Sequence, residues 1–198
     1  MTTTNHRESA QDINPIFLER WSPRAYSGQP LTKEQLLTIL EAAHWAPSAS
    51  NHQPWRFIYG IKGTEAFEKL LGLLVPGNQR WAKNAGALVF VISQTKSGSA
   101  GDAERKPIAT HAFDAGAAWM SLALQAQFLG LHAHGMAGLD YPRATEELGL
   151  PDGFRVEMAA AIGAQGRLED LPEDLQGREK PSSRKSLGEL AFEGAFKG

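Results

Sequence analysis

Three residues near the start of the chain, Arg20, Ser22 and Arg24, alternate along a stretch that proline keeps extended. Pro23 excludes the α region for Ser22, and in an extended chain alternate residues share a face. Two guanidiniums and a hydroxyl on one side suit a phosphate, which arginine grips with two parallel N–H donors. A solvated basic loop would carry the same residues. A second polar group sits in Pro47-Ser48-Ala49-Ser50-Asn51-His52-Gln53-Pro54, between an amphipathic segment and an apolar one. Hydroxyl and amide side chains there can face a ligand or simply satisfy their own turn. His132 and His134 share a strand face but have no third metal ligand nearby, so ordinary packing accounts for them. With no cysteine in the chain, disulfides, thiolate-held clusters and a cysteine nucleophile are excluded.

The elements that position these residues are legible from pattern. Asn14-Pro15 starts a short helix that ends at Trp21-Ser22-Pro23. Thr32 to Gln35 is a capping box for a helix over 33–45, with Leu36, Ile39, Leu40 and Ala43 on its buried face. A strand over 55–60 follows the polar turn, and Thr64 opens a helix with Phe67, Leu70, Leu71 and Leu74 inward. The proline and glycine of Val75-Pro76-Gly77-Asn78 predict a break there, with at most a turn of helix over 80–83. Residues 85–92 are apolar without alternation, the mark of a strand covered on both faces.

Residues 94–106 are small and charged and predict a surface loop. A long, small-faced helix is expected from 107 to 128, stopped by Gly130. Strands over 132–136 and 156–162 flank a helix at 142–149 that Asp140 caps. Residues 1–12 predict a loose tail, 166–185 an extended charged arm, and the capping-box pattern of Ser186 to Glu189 a last short helix carrying Leu190 and Phe192. Four strands interleaved with helices predict an α+β or α/β fold of one domain over 1–198.

A net charge of −2, 42% hydrophobic residues and 21% charged ones are those of a globular protein without a nucleic-acid or anionic-membrane footprint. The longest apolar run is far too short for a bilayer, and the polar N-terminus lacks a secretory core. Cytoplasmic location is the default expectation.

The string Pro47-Ser48-x-x-Asn51-x-Gln53-Pro54-Trp55-x-Phe57 resembles the signature of the nitroreductase family, FMN-dependent NAD(P)H oxidoreductases. Further pieces resemble the same family in the same order. They are Arg20-x-Ser22-x-Arg24, Leu36 to Trp45, His111 to Gly116, Met136-Ala137-Gly138-Leu139-Asp140, and Arg184-Lys185 before Leu187. The resemblance implies an α+β, three-layer α/β/α sandwich with a mainly antiparallel sheet, assembled as an intertwined homodimer. It implies FMN at the subunit interface, with residues 166–198 reaching the partner. Arg20, Ser22 and Arg184 would hold the phosphate and Arg24 would lie near the pyrimidine side of the ring. Asn78 would bond the ring edge, and Ala137 and Gly138 would offer backbone near N5. Pro47, Ser48, Ala49 and Asn51 would come from the partner.

Ala137 stands where one branch has an acidic residue, and Ser182 where a second basic one is often found, leaving Lys185 or Arg20 to compensate. The implied function is hydride transfer from NAD(P)H, through flavin N5, to a nitroaromatic or quinone acceptor in a ping-pong scheme, with no catalytic side chain required. Dehalogenation, azoline oxidation, flavin cleavage, a flavin store or sensor without turnover, and a cofactor-free scaffold are the rival readings.

Overall fold

In the computed structural model, residues 5–98 and 104–197 are described. A four-stranded antiparallel sheet carries the fold, in the order β1 (Trp55–Ile61), β2 (Ala87–Gln94), β4 (Phe154–Gly163), β3 (His132–Met136). The two central strands are the apolar ones. Leu88, Phe90 and Ile92 of β2 point to one layer, while Ala87 and Val89 point to the other. Both faces are therefore dry, which is why the sequence of β2 shows no polar alternation. Three small residues, Ala159, Ala160 and Ala161, let β4 lie between helices on both sides.

One layer holds α3 (Glu65–Gly72), α4 (Pro76–Ala82) and α6 (Tyr141–Glu147), with Phe67, Leu70 and Trp81 buried against the sheet. Gly60 makes that contact close: a Cβ there would sit 2.4 Å from the backbone nitrogen of Phe67. The other layer holds α2 (Lys33–His44) and α5 (His111–Phe128), which bury Leu36, Ile39, Leu122 and Ala126. The three-layer α+β sandwich expected from the sequence is thus present.

The caps follow the sequence closely. Thr32 and Gln35 form the capping box of α2, Thr64 caps α3, and Asp140 accepts from Arg143 N to cap α6. In the middle of the chain three expectations need correction. Pro76 does not break the chain but opens α4 at its first position, where its missing N–H costs nothing. Helix α5 begins at His111 rather than Pro107, because Pro107 pairs with Lys96 in a bridge whose bonds run from Ser97 N to the Lys106 carbonyl and from Ile108 N to the Thr95 carbonyl. Helix α6 ends at Glu147, with Leu148 as its cap. The predicted loop over 94–106 begins where β2 ends, and its residues 99–103 lie outside the described ones.

Short pieces complete the chain: α1 (Ile16–Glu19), α7 (Glu173–Gln176) and single 3₁₀ turns at Ala49–Asn51, Leu168–Asp170 and Leu187–Glu189. The C-terminal arm divides into two parts. Residues 165–184 fasten to their own chain through Tyr26–Gln165, Arg80–Asp174 and Glu179–Arg24. Beyond them the expected last helix through Leu190 and Phe192 is reduced to the 3₁₀ turn Leu187–Glu189, and Leu187, Leu190 and Phe196 are exposed. Among the described residues, no helix is long and apolar enough to cross a membrane.

Candidate functional site

Outside the β3 edge of the sheet lies a cavity of about 300 Å³. Arg20, Ser22 and Arg24 enter it from one segment, as their alternation predicts, and Arg184 enters from the arm. Every second residue from 178 to 184 joins them: Arg178, Lys180, Ser182 and Arg184 all line it. Arg7 closes one side, while Trp21 and His134 complete the wall.

Two cross-ties set the spacing of the walls. Glu179, buried between Arg178 and Lys180, turns its carboxylate the other way and accepts from the backbone N–H of Arg24 and of Ala25, each at 2.8 Å. At the other end Arg7 donates from Nη1 to the Arg20 carbonyl at 2.7 Å and from Nε to the Ser182 carbonyl at 2.9 Å. Residues 5–12 have no regular secondary structure, yet this side chain fastens them to the site.

The lining is cationic, with five arginines, one lysine and no carboxylate. Burial, followed by the charge of Arg184, depresses the Arg20 pKa; burial, followed by Arg178, does the same to Arg24. Both remain cationic at neutral pH. An anion placed among them would relieve their crowding and gain charge-assisted hydrogen bonds. His134 contributes no charge. Burial pulls its pKa down to about 4, and its Nδ1 lies 2.9 Å from the Pro23 carbonyl, to which the neutral ring donates.

Asn78, Ala137 and Gly138 meet between α4 and the end of β3. Asn78 Nδ2 donates to the Gly138 carbonyl at 3.0 Å, and Val75 N donates to the same oxygen. A Cβ on Gly138 would stand 2.6 Å from Asn78 Nδ2, so the pairing requires glycine.

Pro47, Ser48, Ala49 and Asn51 are not brought to this cavity. They precede β1, the opposite edge of the sheet from β3. Their turn is strained: Ser50, Asn51 and Gln53 have φ of 49°, 54° and 46°, a left-handed conformation unfavourable for side chains other than glycine. Side chains from within the turn and from α5 hold it. Ser48 Oγ accepts from Gln53 N at 3.0 Å, and buried Asp114 of α5 accepts from Ala49 N at 3.3 Å and from the Thr110 hydroxyl at 2.9 Å.

The sequence reading missed Arg7, Arg178, Lys180 and Glu179. Of the two residues expected to compensate for Ser182, Arg20 lines the cavity and Lys185 does not. A further polar cluster joins Ser93, His111 and Glu157; there burial pushes the Glu157 pKa up, but hydrogen bonds from Arg155 and Ser93 hold it below the usual range. Among the described residues no group of three potential ligands could hold a metal ion.

Comparison with known proteins gives one consistent answer. The model of the nitroreductase family matches residues 18–71 and 62–164. A solved structure described as an oxidoreductase containing FMN is 56% identical, with a TM-score of 0.95, and each chain covers all of the other. A Mycolicibacterium smegmatis protein known only as a 15.4 kDa protein is 36% identical over 150 residues, 71% of this chain and 97% of that one. A Streptomyces coelicolor protein provisionally named an NADH dehydrogenase/NAD(P)H nitroreductase is 30% identical over 175 residues, covering 80% of this chain and 86% of that one.

Proposed function

The chain belongs to the nitroreductase family, and from that membership we propose an FMN-dependent oxidoreductase that carries hydride from NAD(P)H to a small oxidised acceptor of nitroaromatic or quinone type. The observation that carries the reading is the cationic cavity, in which Arg20, Ser22, Arg24 and Arg184 converge from segments far apart in the chain. FMN, when bound, supplies the redox chemistry by accepting and releasing hydride at N5.

The residues fit that group. A phosphate dianion matches a crowd of guanidiniums in which burial first, and a neighbouring arginine second, depress the pKa values of Arg20 and Arg24, and Ser22 and Ser182 add hydroxyls at the same cavity. Arg20, Ser22 and Arg184 would hold the phosphate. Arg24, on the same wall, would direct its charge toward the ring, where a cation favours the reduced anion. Asn78 and the backbone of Ala137 and Gly138, locked to one another, would present polar groups to the ring edge. Glu179, the acid between Arg178 and Lys180, spends its oxygens on backbone N–H groups and is not among the lining residues, so no carboxylate opposes a phosphate there.

Pro47, Ser48, Ala49 and Asn51 would serve the FMN of a second subunit. The separation of their turn from the cavity, at opposite sheet edges, favours a homodimer with two shared sites. Exposed Phe113, Phe128, Leu187, Leu190 and Phe196 offer apolar surface for such an assembly. NAD(P)H and acceptor would use the same pocket in turn, a ping-pong scheme. The name of the Streptomyces coelicolor relative supports the nucleotide.

The test is direct. Purified protein should be yellow, release FMN rather than FAD on heating, and be bleached anaerobically by NADH or NADPH. Initial rates against nucleotide and quinone should give parallel double-reciprocal lines. A colourless protein that takes up no FMN would overturn the reading.

A further inference from the structure

Arg7 lies outside every motif that marks the cavity, yet its side chain lines the cavity and ties together the two segments that form its walls. Its Nη1 donates to the carbonyls of Leu18, at 3.2 Å, and Arg20, at 2.7 Å, while its Nε donates to the carbonyl of Ser182 at 2.9 Å. The first two acceptors belong to the segment that delivers Arg20, and the third lies two residues before Arg184. Asn5 reinforces the arrangement, bonding the Leu18 carbonyl from its Nδ2 and the Arg7 amide through its Oδ1.

This placement is electrostatically costly without an anion. Burial and the neighbouring charges of Arg184 and Arg20 all oppose the Arg7 cation. A long side chain at an indifferent position would swing into solvent, keeping its rotamer entropy and avoiding like charge. Arg7 instead holds three carbonyls, and the hydrogen bonds it makes are the stronger, charge-assisted kind.

We propose that Arg7 is a positioning residue of the phosphate site: it clasps the Arg20 segment to the Ser182–Arg184 segment so that both close on the phosphate of the cofactor. The assignment rests on the FMN reading above and concerns the phosphate alone. Arg7 therefore matters for FMN and not for riboflavin, which has the same ring and no phosphate.

The experiment compares equilibrium binding of FMN and of riboflavin to apoprotein of the wild type, Arg7→Ala and Arg7→Lys. Wild type should prefer FMN. Arg7→Ala should lose about tenfold or more in FMN affinity, the scale of one charge-assisted contact. Riboflavin affinity should hold within roughly threefold. Arg7→Lys, which keeps the charge but loses the planar fork, should fall between. A wild type without preference for FMN would overturn the cofactor reading and this inference with it. A clear wild-type preference that survives in Arg7→Ala, or an equal loss for both flavins, would overturn the inference alone. Should Arg7→Ala fail to fold, an FMN-to-riboflavin ratio in Arg7→Lys equal to the wild type's does the same.

Discussion

Glu179 holds the backbone of Arg24: its two carboxylate oxygens lie 2.8 and 3.0 Å from the Arg24 amide nitrogen, and one of them also accepts from Ala25. The acid thereby fixes the segment whose side chains form one wall of the cavity, while its neighbours Arg178 and Lys180 form the other. Removing the carboxylate leaves two backbone donors unpaired, one of them buried. Glu179→Ala should cost about 2–4 kcal/mol of stability, on the order of 1–3 per orphaned group discounted for solvent entry. Glu179→Gln keeps one acceptor oxygen and should cost less. Denaturant unfolding of both variants measures the difference, and equal midpoints to the wild type would refute the tie.

Arg20 and Arg24 face the same cavity but are assigned different ends of the cofactor. Arg20→Ala should weaken FMN binding by about 1.5–3 kcal/mol with little change in the flavin midpoint potential. Arg24→Ala should lower the potential as well, since about 30 mV corresponds to 1.4 kcal/mol for a two-electron couple. Redox-dye titration of the two FMN-saturated variants distinguishes them. An equal shift in both would show that the charge at 24 is not directed at the ring.

His134 makes stability depend on pH. Its folded pKa of about 4 lies below the ordinary value of 6.5, mainly through burial. The unfolded chain therefore binds more protons between these values, and stability must fall as pH drops from roughly 6.5 toward 4. The full contribution is on the order of 3 kcal/mol. His132, depressed by burial too, acts in the same direction. In His134→Gln the fall in unfolding free energy over this window should be much smaller; an unchanged pH profile would contradict the assignment.

The turn before β1 stores strain that glycine would release. Ser50 and Gln53 both have positive φ. Glycine at an ordinary helix or strand position costs about 0.5–1 kcal/mol, but Ser50→Gly should be neutral or gain up to about 1 kcal/mol because the left-handed penalty disappears. Thermal melts of the variant decide the sign. A loss as large as at an ordinary site would mean that the turn is not strained in solution.

What the sequence disclosed was whatever local chemistry dictates. The capping boxes at Thr32 and Ser186, the cap at Asp140 and the alternation of Arg20, Ser22 and Arg24 are all decided within five residues, and each appears in the structure. Pro76 was misread because proline signals both a break and a first helical position, and the choice depends on packing of Trp81 against the core. Arg7, Arg178, Lys180 and Glu179 carry no local signal. Their partners lie up to 175 residues away, and in an arm rich in charge nothing distinguishes a cavity-lining lysine from a solvated one.

The two ties that shape the cavity have a consequence in time. Glu179 and Arg7 close separations of 155 and 175 residues, whereas the last strand of the sheet ends at Gly163. A chain made from its N-terminus can therefore complete its sheet before it possesses the second wall of the cavity. Flavin capture must then be a late event, waiting on the docking of residues 178–184. In refolding followed by stopped flow, quenching of flavin fluorescence should lag behind the far-ultraviolet signal of the sheet. The lag should lengthen when either tie is cut, because closing so long a loop is a slow step in folding.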